Sequence, residues 1–286
     1  MIKQMVRLMP NCRMHSWAIP EIPHLECFRA VGFVHEYPRH SHWTWAIGVV
    51  DEGIGGIWHR GTNERVGPGM LIAVAPGVVH TGYPLQRCGM SHSTLYLDDT
   101  LVKNILPEVV GSLVFPQIGI EDLHLARRMR NLCRTLELGG PLLAVETKLL
   151  SDLRCLLVRH ARVNVRQQAG AEPRHITVIQ EYLRANLRRN VSLGDLAGLT
   201  GLSKAYIIRS FRHFVGMPPY EWFLQRRIEA ARERLQKGER ICDLAMDLGF
   251  ADQSHFHRRF RRFTGMTPAT YAEGHYRSRR TNAQPG

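Results

Sequence analysis

An internal repeat in the C-terminal part of the chain constrains its fold more than any other feature of the sequence. Residues 193–222 align with residues 241–271 once a single extra residue, Ala251, is allowed in the second copy, and eleven of the 30 aligned positions are then identical. The identical positions include Asp-Leu-Ala near the start of each copy and Arg-x-Phe-Arg-x-Phe-x-Gly-Met-x-Pro near its end. This agreement predicts one supersecondary unit that the chain uses twice.

Each copy predicts two helices joined by a glycine turn. A short helix, over residues 193–199 or 241–248, is followed by a second helix that begins at Ser203 or Asp252, and both of these residues are good N-caps. Apolar residues at i, i+4 and i+7 of the second helix predict a buried stripe, made of Ile207, Phe211 and Phe214 in the first copy and Phe256, Phe260 and Phe263 in the second. The opposite face is cationic. This arrangement is typical of a helix-turn-helix, whose second helix enters the DNA major groove.

The spacing of the two copies and the charge of this region both favour duplex DNA as the partner. Residues 219–237 have a helical rhythm that stops at Gly238, and these nineteen residues at about 1.5 Å each make a strut of about 28 Å. Neighbouring major-groove segments on one side of B-DNA are about 34 Å apart. The chain has a formal net charge of +13, of which +9 falls after residue 170. A basic region of this kind favours a polyanion.

Nearly the whole repeat region follows one family pattern. It contains GLTGLSKAYIIRSFRHFVGMPPYEWFLQRRIEAARERLQKG and ICDLAMDLGFADQSHFHRRFRRFTGMTPATY. These residues resemble the AraC/XylS family of bacterial transcription regulators. The resemblance implies a seven-helix domain with two helix-turn-helix units over residues 175–274, before a polar tail at residues 275–286. Residues 167–174 are polar with glycine and proline and predict the linker between the domains. The resemblance also implies that base edges are contacted by Ala205, Ile208, Arg209, Gln253, Ser254, His257 and Arg258.

Side-chain chemistry divides the residues of the cationic face by expected role. Arg209 and Arg258 are the best candidates for paired hydrogen bonds to guanine, and Gln253 for adenine. Ala205 and Ile208 offer only apolar contact, so the first unit is expected to read fewer bases. Phosphate contacts add affinity with little sequence choice. They are expected from Lys204, Arg212, Arg259, Arg261 and Arg262.

The first half of the chain predicts a β-rich domain followed by a helical pair. Between residues 28 and 97, short apolar runs are separated by glycine and proline, a spacing that suggests an antiparallel barrel or sandwich. Helices are predicted over residues 121–138 and 142–166, because Gly139-Gly140-Pro141 combines a helix stop with a helix start. The chain is therefore predicted to be an α+β protein of two domains.

The second of these helices has a predicted apolar stripe. Its members are Leu149, Leu150, Leu153, Leu156 and Leu157. Such a stripe packs on the barrel or meets a second subunit, and the sequence leaves both open. The second interpretation predicts a homodimer.

Histidines in the β-rich half resemble the two cupin motifs. His40-Ser41-His42 is followed by Gly69, by Pro76-Gly77 and by His80. Residues 28–97 are similar to the N-terminal sensor domain of AraC-type regulators, which implies an effector-binding domain over residues 1–166. A barrel of this size can hold one small ligand. The candidate pocket residues are Arg39, His40, His42, Trp43, Trp45, Trp58, His80, Tyr83 and Tyr96.

Metal binding is the alternative for this pocket. Metal-binding cupins use H-x-H, a glutamate a few residues later and a third histidine, and histidines at i and i+2 of a strand share a face. The glutamate is missing here, since residues 44–47 read Thr-Trp-Ala-Ile. We therefore predict a metal-free pocket without a cofactor, and an iron or zinc site at His40, His42 and His80 stays open.

The two halves together predict a cytoplasmic transcription regulator controlled by a small-molecule effector. The expected partners are double-stranded DNA, the effector, RNA polymerase and a second copy of the chain; the sequence leaves activation or repression open. No apolar run approaches 18 residues and no signal-peptide pattern is present, so no membrane partner is expected. No catalytic residue is predicted. The alternatives are a metal-dependent cupin enzyme fused to a DNA-binding domain and a DNA-binding dimer that needs no effector.

The cysteine pattern favours thiols over disulfides. None of the six cysteines forms a C-x-x-C pair, and Cys133, Cys155 and Cys242 fall in apolar stripes of predicted helices. Buried free thiols are the expected state, rather than disulfides or a zinc site.

Overall fold

Two units of different composition make up the structure, a computed structural model that describes residues 12–107, 109, 111–163 and 173–281, with side chains as far as residue 276. Most of the first unit falls before residue 164, and nearly all of the second follows it. Of the predicted linker at residues 167–174, residues 167–172 lie outside the described residues, and Arg174 already begins a helix. Among the described residues, no helix is long and apolar enough to cross a membrane.

The β-rich half forms two antiparallel sheets, as predicted. The strands are β1 Arg13–Ala18, β2 Leu25–Phe33, β3 Tyr37–His40, β4 Trp45–Glu52, β5 Gly55–His59, β6 Thr62–Val66, β7 Leu71–Val74, β8 His80–Pro84, β9 Met90–Leu97, β10 Leu113–Val114, β11 Gly119–Ile120 and β12 Arg162–Val163. The larger sheet has the strand order β1-β2-β9-β4-β7-β11, the smaller β3-β8-β5-β6, and β10 pairs with β12. The helices of this half are α1 Asp99–Ile105, α2 Leu123–Leu138 and α3 Leu142–His160.

Strand β4 shows how the larger sheet is covered on both faces. Ala46 and Val50 pack with Ile57 of the smaller sheet in a core between the two sheets. The alternate residues Ile47 and Val49 pack in a second core with the buried residues of α2 and α3. Because successive side chains of a strand point to opposite faces, an almost wholly apolar β4 is what this three-layer arrangement requires.

The helical pair differs from its prediction at two points. Gly139 ends α2 in the left-handed region at φ 72°, and α3 begins after Pro141 as expected. However, α3 ends at His160 and not at residue 166, because Ala161 is extended and leads into β12. The predicted stripe is buried except for Leu150, which is 45% exposed. Leu150 lies 100° around the helix from Leu149, so it falls outside the arc that faces the sheet.

The second unit contains seven helices within the described residues, the number that the family resemblance implies. They are α4 Arg174–Ala185, α5 Leu193–Thr200, α6 Lys204–Val215, α7 Pro219–Gln236, α8 Ile241–Asp247, α9 Gln253–Thr264 and α10 Pro268–Thr281. The two predicted N-caps are confirmed: the side chain of Ser203 accepts from the Tyr206 N–H, and that of Asp252 from the His255 N–H. The fold class of an α+β protein with two domains is therefore confirmed.

The buried stripes of the two repeats are not equivalent. Ile207 and Phe211 are fully buried, and so are Phe256 and Phe260, but Phe214 is 47% exposed. Its counterpart Phe263 is buried. Phe214 lies in the last turn of α6, where burial depends on what covers the helix end and not on the helical period. The prediction was wrong at this residue.

The cysteines are free thiols but not all are buried. Cys27 and Cys133 are buried and Cys155 is half-buried, whereas Cys242 is exposed, against the prediction. Burial raises the pKa of the Cys133 thiol to about 12, which keeps it protonated and unreactive at neutral pH.

Candidate DNA-reading helices and histidine pocket

Helix α6 presents the predicted base-contacting residues of the first repeat on one surface. Ala205 and Arg209 are exposed, and Ile208 is half-buried. They lie opposite Ile207 and Phe211, which anchor the helix in the core. The predicted phosphate contacts Lys204 and Arg212 are exposed on the same helix.

Helix α9 presents the corresponding residues of the second repeat. Gln253, Ser254 and Arg258 are exposed, and His257 is half-buried. The first two follow the N-cap Asp252 directly, so they lie in the first turn, where recognition helices contact bases. The sequence prediction thus identified an exposed polar surface on this helix.

The predicted phosphate contacts of α9 differ in their surroundings. Arg261 is exposed, and Arg262 lies 3.9 Å from the Glu221 carboxylate. Arg259 is half-buried, and its Nε donates to His255 Nε2 at 3.2 Å. Burial, followed by the charges of Arg259 and Arg258, lowers the pKa of His255, so the ring stays neutral and can accept this bond.

Arg227 of α7 supports the second helix-turn-helix and was not singled out in the sequence. Its Nε donates to the Leu187 carbonyl at 2.8 Å, its Nη2 to Arg189 at 2.7 Å and its Nη1 to Gly249 at 2.6 Å. The guanidinium also lies 4.4 Å from the centre of the Phe223 ring. Gly249 forms the turn between α8 and α9. A buried arginine with three carbonyl partners therefore fixes the turn that precedes the recognition helix.

Four of the predicted pocket residues come together. The potential ligand atoms of His40, His42 and His80 all lie within 4.8 Å of one another. The His42 ring is 5.1 Å from that of His80 and 5.3 Å from that of Tyr96. Burial lowers the pKa of His80 to about 4, so this ring is neutral at physiological pH.

The three histidines fit a metal ion in number, and two of them also fit it in tautomer. His40 Nδ1 lies 2.9 Å from the Pro38 carbonyl oxygen, and His80 Nδ1 lies 3.0 Å from that of Val78. A carbonyl can only accept, so both Nδ1 atoms carry the proton and Nε2 keeps the lone pair. Histidines that bind metals commonly donate their other ring N–H to a backbone carbonyl in this way. Three imidazole nitrogens suit zinc or iron, with a further position left for another ligand.

Two other residues predicted to line this pocket, Trp45 and Tyr83, lie elsewhere. Trp45 is buried in the core shared with α2 and α3, where its Nε1 donates to Asp99 at 2.9 Å. Tyr83 covers Gly56, and its hydroxyl donates to Asn63. Gly56 alternates with the inter-sheet residue Ile57, so the Tyr83 ring lies on the outer face of the smaller sheet. Three more predicted residues are exposed or half-buried: Arg39, Trp43 and Trp58.

Two further histidines in the strands were missed. His59 and His92 are 4% and 8% exposed, and burial lowers the pKa of both, that of His92 to about 4. His59 Nε2 and His92 Nδ1 have no hydrogen-bond partner among the described residues. Both alternate with core residues, since His59 follows Ile57 and His92 follows Met90 at a spacing of two. That period was the signal that could have identified them.

Comparison with known proteins matches each half of the chain to a described type of domain. A model described as an AraC-like ligand binding domain matches residues 22–153, and one described as a helix-turn-helix domain matches residues 196–274. The regulatory protein SoxS of Salmonella typhimurium is 36% identical over 101 residues, which are 34% of this chain and 94% of SoxS. The chain belongs to the AraC family of transcriptional regulators.

Relatives that span both halves agree with this assignment. The HTH-type transcriptional regulator YbfI of Bacillus subtilis is 26% identical over 235 residues, covering 81% of this chain and 86% of YbfI. Crystal structures of ToxT from Vibrio cholerae share the fold: an apo form of a ToxT variant has a TM-score of 0.56 at 12% identity over 92% of this chain and 96% of its own. This AraC-family regulator therefore has an N-terminal ligand-binding domain and a C-terminal DNA-binding domain, and the predicted function is confirmed.

Proposed function

We propose that α6 and α9 read two adjacent major-groove segments of one DNA duplex. The observation that carries this proposal is the equivalent placement of Arg209 and Arg258, which are both exposed on the side of their helix opposite the buried stripe. An exposed arginine on a recognition helix can donate two hydrogen bonds to guanine. Helix α7, with 18 residues, is about 27 Å long, of the order of one groove repeat.

Selection of bound duplexes from a random library tests this proposal. The full chain should select a site with two conserved blocks about one helical turn apart. Arg209→Ala should relax one block and Arg258→Ala the other. The proposal fails if both substitutions relax the same block, or if the full chain selects only one block.

The histidine pocket is the proposed effector site. His40, His42, His80 and Tyr96 supply polar atoms in the ligand-binding domain, and a largely buried pocket with a few polar groups is the usual form of a small-molecule site. A ligand that binds one conformation of this domain more tightly changes the DNA affinity through linkage. A ToxT structure holds a methylnaphthalenyl-butenoic acid, so a protein of this fold does bind a small organic molecule.

A metal-responsive pocket is the second candidate, favoured by the tautomers of His40 and His80. Metal analysis of the purified full chain distinguishes the two candidates. One zinc or iron ion per chain supports the metal site if the ion is lost in His42→Ala. The control His124→Ala, at an exposed position of α2, should keep the ion. A chain that stays metal-free after incubation with either ion at micromolar concentration excludes it and leaves the organic effector.

Three further properties complete the proposed function. The protein acts on DNA in the cytoplasm. Its pocket binds a ligand without transforming it, in line with relatives that are named as regulators. It contacts RNA polymerase from the bound site. It also forms a homodimer, supported by exposed apolar residues at the turn between α2 and α3, where Leu138 and Leu143 are 74% and 77% exposed.

A further inference from the structure

Four arginines lie in the lining of a cavity of the ligand-binding domain. This cleft lies beside the β5–β6 hairpin, residues 116–120 and the end of α3, and it has a volume of about 920 Å³. That volume suits a small molecule. The charged lining consists of four arginines and two glutamates: Arg60, Arg65, Arg159, Arg162, Glu64 and Glu121. The excess of positive charge favours an anion.

One of the two glutamates is hydrogen-bonded within the protein. Glu64 Oε2 accepts from the backbone N–H groups of Ile118 at 3.0 Å and Gly119 at 2.7 Å. These bonds fix the wall of the cleft and stabilise the carboxylate charge. Glu64 therefore holds the wall in place, which leaves the arginines to face a ligand.

The end of α3 forms a fixed part of the lining. Asp122 Oδ2 lies 3.1 Å from Arg159 Nη1 and 3.0 Å from His160 Nε2. Burial opposes ionisation of Asp122, but the Leu125 N–H, His160 and Arg159 outweigh it and lower the pKa of this carboxyl. Arg162 Nη1 donates to the Ala161 carbonyl at 3.0 Å. Because Asp122 neutralises Arg159, the excess charge of the cleft comes from Arg60, Arg65 and Arg162.

Arg60 occupies a backbone conformation that is unusual for a long side chain. Its φ is 48°, and that of the next residue, Gly61, is 86°. Two-residue hairpin turns with positive φ at both positions normally take asparagine, aspartate or glycine. An arginine held there in spite of its steric cost, on the lining of a cleft, points to a role for its charge.

His59 adds a buried polar atom to the cleft. Its side chain lines the cavity, and its Nε2 has no hydrogen-bond partner among the described residues. Such an atom costs free energy unless a ligand completes it. An imidazole can donate one hydrogen bond to a ligand from such a nitrogen. His59 is also the cross-strand neighbour of His80, so the cleft adjoins the histidine pocket.

We propose that this cleft binds a small dianion carrying carboxylate or phosphate groups, which Arg60, Arg65 and Arg162 hold by charge-assisted hydrogen bonds while His59 donates from Nε2. The guanidinium fork matches both kinds of oxyanion. The three guanidinium groups that Asp122 does not neutralise can share the two charges of such a ligand. The site is separate from the proposed effector pocket and does not depend on it.

Calorimetric titration of the full chain with malonate and with inorganic phosphate, at constant ionic strength, tests the proposal. The variants are Arg60→Asn, which suits the positive φ, and Arg60→Asn combined with Arg65→Gln. The matched control is Arg87→Gln, which removes one charge from an exposed arginine of the same unit that is not part of the cleft. The double variant should bind the preferred dianion at least tenfold more weakly, and the control less than twofold.

Each result decides the question. Binding of malonate alone identifies the ligand as a carboxylate, and binding of phosphate alone identifies it as a phosphate. Absence of heat with both dianions at millimolar concentration overturns the proposal, and so does equal weakening in Arg87→Gln, which would show that overall charge alone attracts the anion. DNA affinity is measured on the same samples without dianion. The DNA affinity should be equal in all variants. A loss of dianion binding is then distinguished from a failure of the DNA-reading proposal, which would appear in the DNA affinity.

Discussion

Arg227 Nη1 donates a 2.6 Å hydrogen bond to the carbonyl oxygen of Gly249, the turn residue of the second helix-turn-helix. Gly249 has φ 68°, a conformation that favours glycine. A Cβ at this residue would lie 2.5 Å from Arg227 Nη2 and 2.9 Å from the Arg188 carbonyl oxygen. The conformation of the turn and the position of the arginine therefore depend on each other.

Gly249→Ala should destabilise the DNA-binding domain much more than Gly201→Ala. Gly201 is the equivalent turn residue of the first repeat, with φ 70° and no atom within 4 Å of an added Cβ. Both substitutions incur the left-handed backbone cost of about 1 kcal/mol, but only Gly249→Ala also displaces Arg227, which should bring its total above about 2 kcal/mol. Urea unfolding followed by circular dichroism measures both. Equal losses would show that Arg227 adapts and does not fix the turn.

Arg258→Ala and Arg261→Ala should have different effects on DNA binding. Arg258 lies one helical turn after the exposed residue Ser254, so its loss should relax one base position and cost about 1–3 kcal/mol at the preferred site. Arg261→Ala should weaken all sequences alike and reduce the slope of log K against log salt by about one. Fluorescence anisotropy on the preferred site and a single-base variant, at several salt concentrations, separates these outcomes. Identical behaviour of the two variants would contradict the assigned roles.

The stability of the ligand-binding domain should fall between about pH 6.5 and pH 4 because of His92. Burial lowers the pKa of His92 to about 4 in the folded chain, against 6.5 as its ordinary value. The unfolded chain therefore binds more protons in this window, so the contribution of His92 is complete above pH 6.5 and is lost as the pH falls towards 4. A shift of this size corresponds to at most about 3 kcal/mol.

Urea midpoints at pH 7.5 and pH 4.5 measure this effect through tryptophan fluorescence, since four of the five tryptophans lie in this domain. His92→Gln cannot titrate and should have a smaller difference between the two midpoints. His124→Gln, on an exposed position of α2, should keep the wild-type difference. If His92→Gln has the same pH dependence as the wild type, other groups cause the acid sensitivity.

The sequence predicted the elements well because their signals are local. Caps such as Ser203 and the Gly139-Gly140-Pro141 break act within one or two turns of chain, and both lie where they were predicted. The repeat itself predicted both recognition helices. Helical period also identified most buried residues, but it could not decide Phe214, whose exposure depends on neighbours distant in sequence.

The pocket was less predictable because strand neighbours come from distant parts of the chain. Trp45 and His42 are three residues apart, yet Trp45 faces the helical pair while His42 lies beside His80 and Tyr96. The packing of α2 and α3 decides which face of a strand meets the second sheet. The residue types near a motif do not specify that packing. Likewise, the partners of Arg227 come from loops 38 to 40 residues before it and 22 after it.

The proposed homodimer should dissociate into monomers in the Leu143→Lys variant. Leu138 and Leu143 flank the turn between α2 and α3 and are 74% and 77% exposed, and such adjacent apolar side chains are typical of an interface. A lysine at its centre leaves an unpaired charge against the partner, which should weaken association at least tenfold. Sedimentation equilibrium measures the change, with Leu85→Lys, an exposed leucine in the β8–β9 turn, as the control. Retention of the wild-type dimer in Leu143→Lys would place the interface on another surface.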